Sequence, residues 1–281
     1  MTNPKKIIAL ILGRELKSVD HLDKNKKIRV SFTGGLGAQL ISAAIYYDLS
    51  AKGYLIEADL SYFEKKQQDL SGCSHWDWQL GEYGIYPSSF YSSGSPSGQF
   101  VKISDGSVKG RLGVSALRNE NIRKKFVIPQ GVVGLKDFLP ESDRLVLREP
   151  YICMHIRRGD YMNVASYLVP DSHFIDIAMR AAGVLKSIVV LSDSPLSEEF
   201  KKTVAGLYGG ALFIDSGGEA PFYCHCLMRN ASLLVCSNSQ FSLTAGLLSS
   251  GFVVLPKKWY GGGEEKLESL ISELSDFAVM S

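Results

Sequence analysis

The sequence predicts an α/β protein of two unequal lobes, each organised round a parallel sheet. Three observations carry that expectation. The 281 residues exceed one ordinary domain and suit two. A β-branched run, Ile28 to Phe32, leads through a glycine turn into a stretch with helical periodicity. From Tyr151 onward, apolar runs of strand length alternate with helical ones, which is the pattern of a doubly wound sheet.

Taken in order, the chain opens with Lys5-Lys6 ahead of the apolar Ile7 to Leu12, the beginnings of a signal peptide. The run is too short and meets Arg14 and Glu15 without a small-residue cleavage site. No stretch reaches the roughly 18 apolar residues of a spanning helix, so the expectation is a cytoplasmic protein, at most peripheral to the inner face of a membrane. After Ile28 to Phe32 comes Thr33-Gly34-Gly35-Leu36-Gly37, and then Leu40, Ile41, Ala44, Ile45 and Leu49 recur at helical spacing. A second strand is predicted at Tyr54 to Ala58. Gly81 to Gly113, rich in Gly, Ser, Tyr and Pro and without periodicity, reads as irregular surface structure with at most one hairpin.

The second half is predicted to contain strands at Tyr151 to Ile156, Ser187 to Leu191, Ala211 to Ile214, Ser232 to Cys236 and Phe252 to Leu255. Helices are predicted between them at His173 to Ala182, Leu196 to Tyr208, Phe222 to Asn230 and Phe241 to Ser249. Leu267, Leu270, Ile271 and Leu274 share one face, so Glu264 to Phe277 reads as a closing amphipathic helix. The lobes are expected to span residues 1–146 and 147–281.

Composition narrows the function classes. The 31 basic and 29 acidic side chains give a net charge of +2, and the basic pairs are scattered, which argues against a nucleic-acid partner. Five cysteines, Cys73, Cys153, Cys224, Cys226 and Cys236, are an odd number in a chain too long for a disulfide scaffold, which favours reduced thiols. Cys224-His225-Cys226 suggests zinc, yet three successive helical residues do not share a face and no second ligand pair has matching spacing, so a core role is preferred. His75, Trp76 and Trp78 are read as satellite core rather than a sugar platform. The sequence has no GxSxG elbow, Walker-type loop or HExxH pair.

The chemistry concentrates in His155-Ile156-Arg157-Arg158-Gly159-Asp160-Tyr161, directly after an apolar strand. Ligands of open α/β sheets bind beyond the carboxyl ends of strands, and an arginine fork suits a phosphate because it stays charged and donates two parallel hydrogen bonds. Adjacent side chains there point to opposite sides, so only one arginine is expected to face an anion. Asn238, Ser239 and Gln240 precede the helix that starts near Phe241, where unpaired N–H groups and the helix dipole attract phosphate; Ser239 also suits a simple N-cap. Asp193, at a strand end, could accept from a ligand hydroxyl or amino group, or simply cap a turn. The Gly34 to Gly37 turn lacks the third glycine of a dinucleotide fingerprint, which disfavours a dehydrogenase.

HIRRGDY resembles the signature of glycosyltransferase family 11, the α-1,2-fucosyltransferases, and is similar to the H-x-R-R-x-D element of α-1,6-fucosyltransferases and protein O-fucosyltransferases. Gly34 to Leu40 resembles that family's G-G-L-G-N-Q-L, Leu191 to Ser194 its F-S-D-D, and Cys236 to Ser242 with Leu255 to Tyr260 its N-S-S-F-S-W-W block and terminal P-K-x-W. The chain departs from the pattern at Ala38, at Leu243-Thr244 and at Ser194.

The resemblance implies a two-lobed GT-B architecture of Rossmann-like halves, with residues 1–146 on the acceptor side and 147–281 holding the nucleotide sugar. It implies an inverting glycosyltransferase that moves L-fucose from GDP-fucose to a hydroxyl, O2 of galactose, in a glycan such as a lipid-linked bacterial polysaccharide repeat. His155, Arg157 and Asp160 are the expected catalytic group, with Arg157 facing the diphosphate and Arg158 left to pair with Asp160 or with the lobe interior. Arg157, Arg158, Asp193, Asn238, Ser239, Gln240 and Phe241 are the expected donor contacts, and Gly35, Gly37 and Gln39 the cleft loop near the acceptor. No metal or other cofactor is expected, because protein cations would serve the leaving diphosphate. The alternatives are another nucleotide-activated deoxysugar as donor, or a nucleotide- or sugar-binding module without catalysis.

Overall fold

A computed structural model of the protein describes residues 27–64, 77–90, 100–104, 107–129, 139–146, 150–217, 221–256 and 278–280. Two parallel sheets organise them. The smaller has the order β2-β1-β3, from β1 (Lys27–Ser31), β2 (Leu55–Asp59) and β3 (Phe100–Ile103). The larger has the order β6-β5-β4-β7-β8-β9, from β4 (Tyr151–Ile156), β5 (Ser187–Ser192), β6 (Gly210–Asp215), β7 (Leu233–Val235), β8 (Phe252–Leu255) and β9 (Ala278–Met280). Every pairing in both sheets is parallel. The chain is α/β with two parallel-sheet units, as the alternating pattern predicts.

The longer helices are α1 (Leu36–Ala51), α2 (Ser107–Arg118), α3 (Asp171–Ala181), α4 (Glu198–Leu207), α5 (Pro221–Asn230) and α6 (Gln240–Leu248). Their ends follow the local chemistry. Ser197 caps α4 by accepting from Phe200 N at 3.2 Å, and α5 starts on Pro221, whose missing N–H costs nothing at a first helical position. The predicted closing helix, 264–277, lies outside the described residues.

Alternation along β4 sorts the core into two layers. Ile152, Met154 and Ile156 pack with Phe174 and Ala178 of α3 and with Phe200 and Val204 of α4 on one face. Tyr151 and Cys153 face the other way, where α5, α6 and the smaller unit continue one apolar cluster from Ile28 to Leu255. The core is therefore shared across residue 146 rather than divided there. At about 25 cal/mol per Å² of apolar surface, such a seam resists opening more than a polar cleft would.

The stretch from Gly81 to Gly113 is more regular than its composition suggests. It supplies two 3-10 turns, Gly81–Tyr83 and Pro87–Phe90, then β3, which pairs with β1, and the first part of α2. Gly113, the last residue of that stretch, sits inside α2, where a Cβ would overlap Ile41 Cγ2. It is there to let α1 and α2 approach. Trp78 is partly buried in the same region, its ring 5.7 Å from Phe32 and 5.8 Å from Phe90, and its Nε1 donates to Ile85 O at 2.7 Å. That is the core role expected of it; His75 and Trp76 lie outside the described residues.

Candidate functional site

The strand order locates a crevice without reference to any motif. From β4 the chain moves one way to β5 and β6, then crosses back to β7 and β8 on the other side of β4. The loops that leave β4 and β7 diverge, and ligands of open parallel sheets bind at such a point. The β4 loop carries Arg157 to Asp160, and the β7 loop carries Cys236 to Ser239 into α6. His155 Nδ1 and Ser237 Oγ, 2.9 Å apart, join the two loops at their base.

The arginines diverge as extended geometry requires. Arg157 pairs with Asp193 Oδ2 through Nη1 and with Asp160 Oδ1 through Nη2, both at 2.6 Å, and its guanidinium lies 5.3 Å from the Tyr161 ring. Burial alone would lower its pKa, but Asp193 and Asp160 hold it raised, so the cation is secure. It stays 19% exposed and has further N–H donors beyond those two contacts. Arg158 turns away. Its Nη1 donates to Val169 O at 3.0 Å and Arg157 O at 3.2 Å, and its Nη2 pairs with Asp171. Of its two expected partners, Asp160 belongs to Arg157 instead, and Arg158 takes the interior. Those contacts make it a brace for the loop.

Asp193 takes its protein partners from the same loop. Oδ1 accepts from Arg158 N at 2.6 Å, and Oδ2 lies 2.6 Å from Arg157 Nη1 as an ion pair without a hydrogen bond of good geometry. With 5% of the side chain exposed, it is the buried counter-charge that fixes Arg157. Gly159 follows from this packing: its φ is +26°, and a Cβ there would lie 2.6 Å from Asp193 Oδ2. Its N–H donates to Ser194 Oγ at 3.1 Å, the residue where the sequence departs from the second Asp of the F-S-D-D pattern.

Opposite Arg157's loop, Ser239 caps α6 by accepting from Phe241 N at 3.2 Å. Ser237, Asn238 and Ser239 are buried, and Asn238 Nδ2 reaches Tyr167 O at 3.4 Å. Gln240 and Phe241 are half-buried in the first turn. Against that turn lies the first turn of α1: a Cβ on Gly37 would sit 2.6 Å from Phe241 N and 2.7 Å from Gln240 C. Gly34 reaches the bend with φ +70°, and Gly35 occupies the N-cap position of α1. Two helix N-termini thus abut. Their dipoles carry like partial charges at that end, which repel unless something negative lies near both.

His155 and Gln39, expected among the reactive and acceptor-facing groups, are both interior. His155 is 2% exposed, and burial, helped by Arg157, pushes its pKa down to about 3, so it is a neutral hydrogen-bonding strut rather than a base open to a substrate. Gln39 is fully buried; Nε2 donates to Gly34 O at 2.8 Å and Asp77 O at 2.9 Å, while Oε1 accepts from Gln79 N at 2.9 Å. It ties the glycine turn to the 77–79 segment. Asp160 is the exposed carboxylate of the group, at 49%.

Sequence reasoning also missed Lys109, 3% exposed, whose Nζ donates to Ser31 O at 2.8 Å beneath the glycine turn. Among the described residues no group of three or more His, Cys, Asp or Glu could hold a metal ion, and no helix is long and apolar enough to cross a membrane. Cys153, Cys224, Cys226 and Cys236 are buried free thiols.

No protein-family model and no curated protein matches the chain. Among solved structures it is similar to POFUT1 in complex with GDP-fucose, at 13% identity and a TM-score of 0.44, over 83% of this chain and 96% of that one. A complex of POFUT1 with GDP is similar at 12% identity and a TM-score of 0.43, over 82% and 96%. The likeness is loose and spans most of both chains.

Proposed function

We propose that this protein is an inverting glycosyltransferase of GT-B type that transfers L-fucose from GDP-fucose to a glycan hydroxyl. O2 of galactose in a surface polysaccharide repeat is the acceptor that the sequence resemblance implies. One observation carries the reading: Arg157, held by two carboxylates, and the N-terminus of α6 stand on the two loops that diverge at the switch point of the larger sheet. Residues 147–281 would hold the nucleotide, and 1–146 would present the acceptor by way of Gly34 to Gly37.

The work asked of the site is stabilisation of a leaving diphosphate. As the bond between the anomeric carbon and the diphosphate oxygen breaks, charge grows on that oxygen, and a fixed cation with oriented amides lowers the barrier without reorganising. Asp193 keeps Arg157 oriented before substrate arrives. The acceptor oxygen attacks from the opposite face, which inverts the anomeric centre, and passes its proton to a base. Asp160 is the exposed carboxylate nearest this chemistry, although one of its oxygens is shared with Arg157. Metal-free action belongs to the same proposal, with Arg157 and the helix ends as the positive charge.

Incubation with GDP-fucose and a panel of galactosides, read by mass spectrometry and by GDP release, tests the reading. A mass gain of one deoxyhexose with stoichiometric GDP supports it. GDP binding without release would leave a binding module, and preference for a dTDP sugar would replace the donor.

A further inference from the structure

The Cys224-His225-Cys226 segment holds no metal cluster among the described residues, yet His225 is fully buried and bonded on both ring nitrogens. Nδ1 lies 2.8 Å from Tyr83 Oη of the smaller unit, and Nε2 lies 3.2 Å from Thr244 Oγ1 of α6. Arg229 Nη1 donates to Tyr83 Oη at 3.1 Å and to Phe126 O at 2.8 Å. Thr244 Oγ1 reaches the carbonyls of Gln240 and Phe241 at 2.9 and 3.0 Å, and its single proton goes to one of them.

These partners fix the direction of every bond. Because the threonine proton is spent on a carbonyl, Oγ1 accepts from His225 Nε2–H. Nδ1 then accepts from the Tyr83 hydroxyl, whose oxygen accepts from Arg229, and each proton in the chain has an acceptor. Burial pushes Tyr83 up to about 12, so its proton stays in place, and burial together with Arg229 and His155 keeps His225 neutral. The imidazole also backs the Phe241 ring at 5.5 Å, while His155 contacts that ring at 5.4 Å.

We propose that Tyr83, His225 and Thr244 form a positioning relay that sets the first turn of α6, and with it the anion site, from the acceptor-side unit. The relay rests on the donor-site reading above and adds that the two units share one hydrogen-bonded register at that site. Thr244 falls where the resemblance shows its second departure from tryptophan.

Tyr83→Phe and Thr244→Val each delete one link and keep the volume close to native. Each should lower kcat/KM for the donor about 3- to 10-fold, the worth of one net hydrogen bond, with part of the loss in kcat because the turn also faces the leaving diphosphate. The double variant should be no worse than the poorer single, because both act through one imidazole, and Thr244→Ser should restore wild-type values. Amide exchange of Leu243 to Ala245 should quicken at least about 3-fold in Tyr83→Phe, a readout that needs no donor. Failure of the wild type to bind GDP would sink the donor assignment and leave the exchange result to decide the relay. Multiplying effects in the double variant, or unchanged exchange with only a lower melting temperature, would overturn it.

Discussion

The carboxyl edges of the two sheets handle charge in opposite ways. At the end of β4, Arg157 is clamped by Asp193 and Asp160 but remains 19% exposed, so a cation is displayed. At the ends of β1 and β2, the charges are absorbed. Lys109 points under the glycine turn to Ser31 O, and Asp59 takes contacts from Ser31, Ser61 and Lys102. What that edge offers the crevice is backbone, with Gly37 closed against α6. One side is built to bind by charge and the other by close approach, so each should fail in its own way.

Gly37→Ala breaks the second side and has the largest expected effect. The added methyl meets backbone at 2.6 Å, which cannot rotate aside, so α1 and α6 must separate. Overpacking of this kind costs about 1–3 kcal/mol or more. The variant should melt well below wild type and lose nearly all transfer activity; normal melting with full activity would show that the helix ends need not touch. Arg157→Lys breaks the first side alone. It keeps the charge and loses the planar fork, so turnover should fall about 10- to 150-fold, from about 1.5–3 kcal/mol for a charge-assisted bond, with little change in melting. A fully active, normally folded variant would remove Arg157 from the chemistry.

The same contrast explains what was legible in the sequence. The larger sheet announces itself through apolar runs such as Tyr151 to Ile156, buried on both faces, and its arginines follow directly in the chain. In the smaller unit the cues mislead. β3 is four residues, and the glycines of α2 look like breakers when one of them is a helix contact. Gln39 and Tyr83 take their meaning from partners 38 and 142 residues away, which no local pattern encodes. His155 was visible as part of a motif, but its burial was not. Asp193 was visible as a strand-end carboxylate, but nothing local in the sequence encodes its ion pair with Arg157 or its bond from Arg158 N.

Acid should separate the two sides by pH window. His155 and His225 are held neutral by burial and take up protons only on unfolding, so acidification favours the unfolded chain from pH about 6.5 downward. His155, with its pKa near 3, accounts for about 2 kcal/mol of lost stability by pH 5. In Asp59 the effect of burial is outweighed by hydrogen bonds from Ser61 and Lys102, which bring it down to about 2; its contribution is intact above its ordinary value of 3.8, declines below it and is gone once pH has fallen through about 2. Denaturant unfolding at pH 7, 6 and 5 should show a falling midpoint. A flat profile across that range would mean that the histidines titrate normally in the fold.

Arg158→Lys has the smallest expected effect and sharpens the division between the adjacent arginines. Arg158 is 12% exposed and spends its fork on Val169 O, Arg157 O and Asp171, the first residue of α3. A lysine keeps the charge near Asp171 but cannot hold that carboxylate and Val169 O in one plane. One lost hydrogen bond of about 1 kcal/mol should lower the melting temperature by about 2–4 °C for a chain of this size. Specific activity below the transition should stay within about 2-fold of wild type, because Arg157 keeps Asp193 and Asp160. If Arg158→Lys instead lost as much turnover as Arg157→Lys while melting normally, the two arginines would act on the substrate as a unit, and the bracing role given to Arg158 would fall.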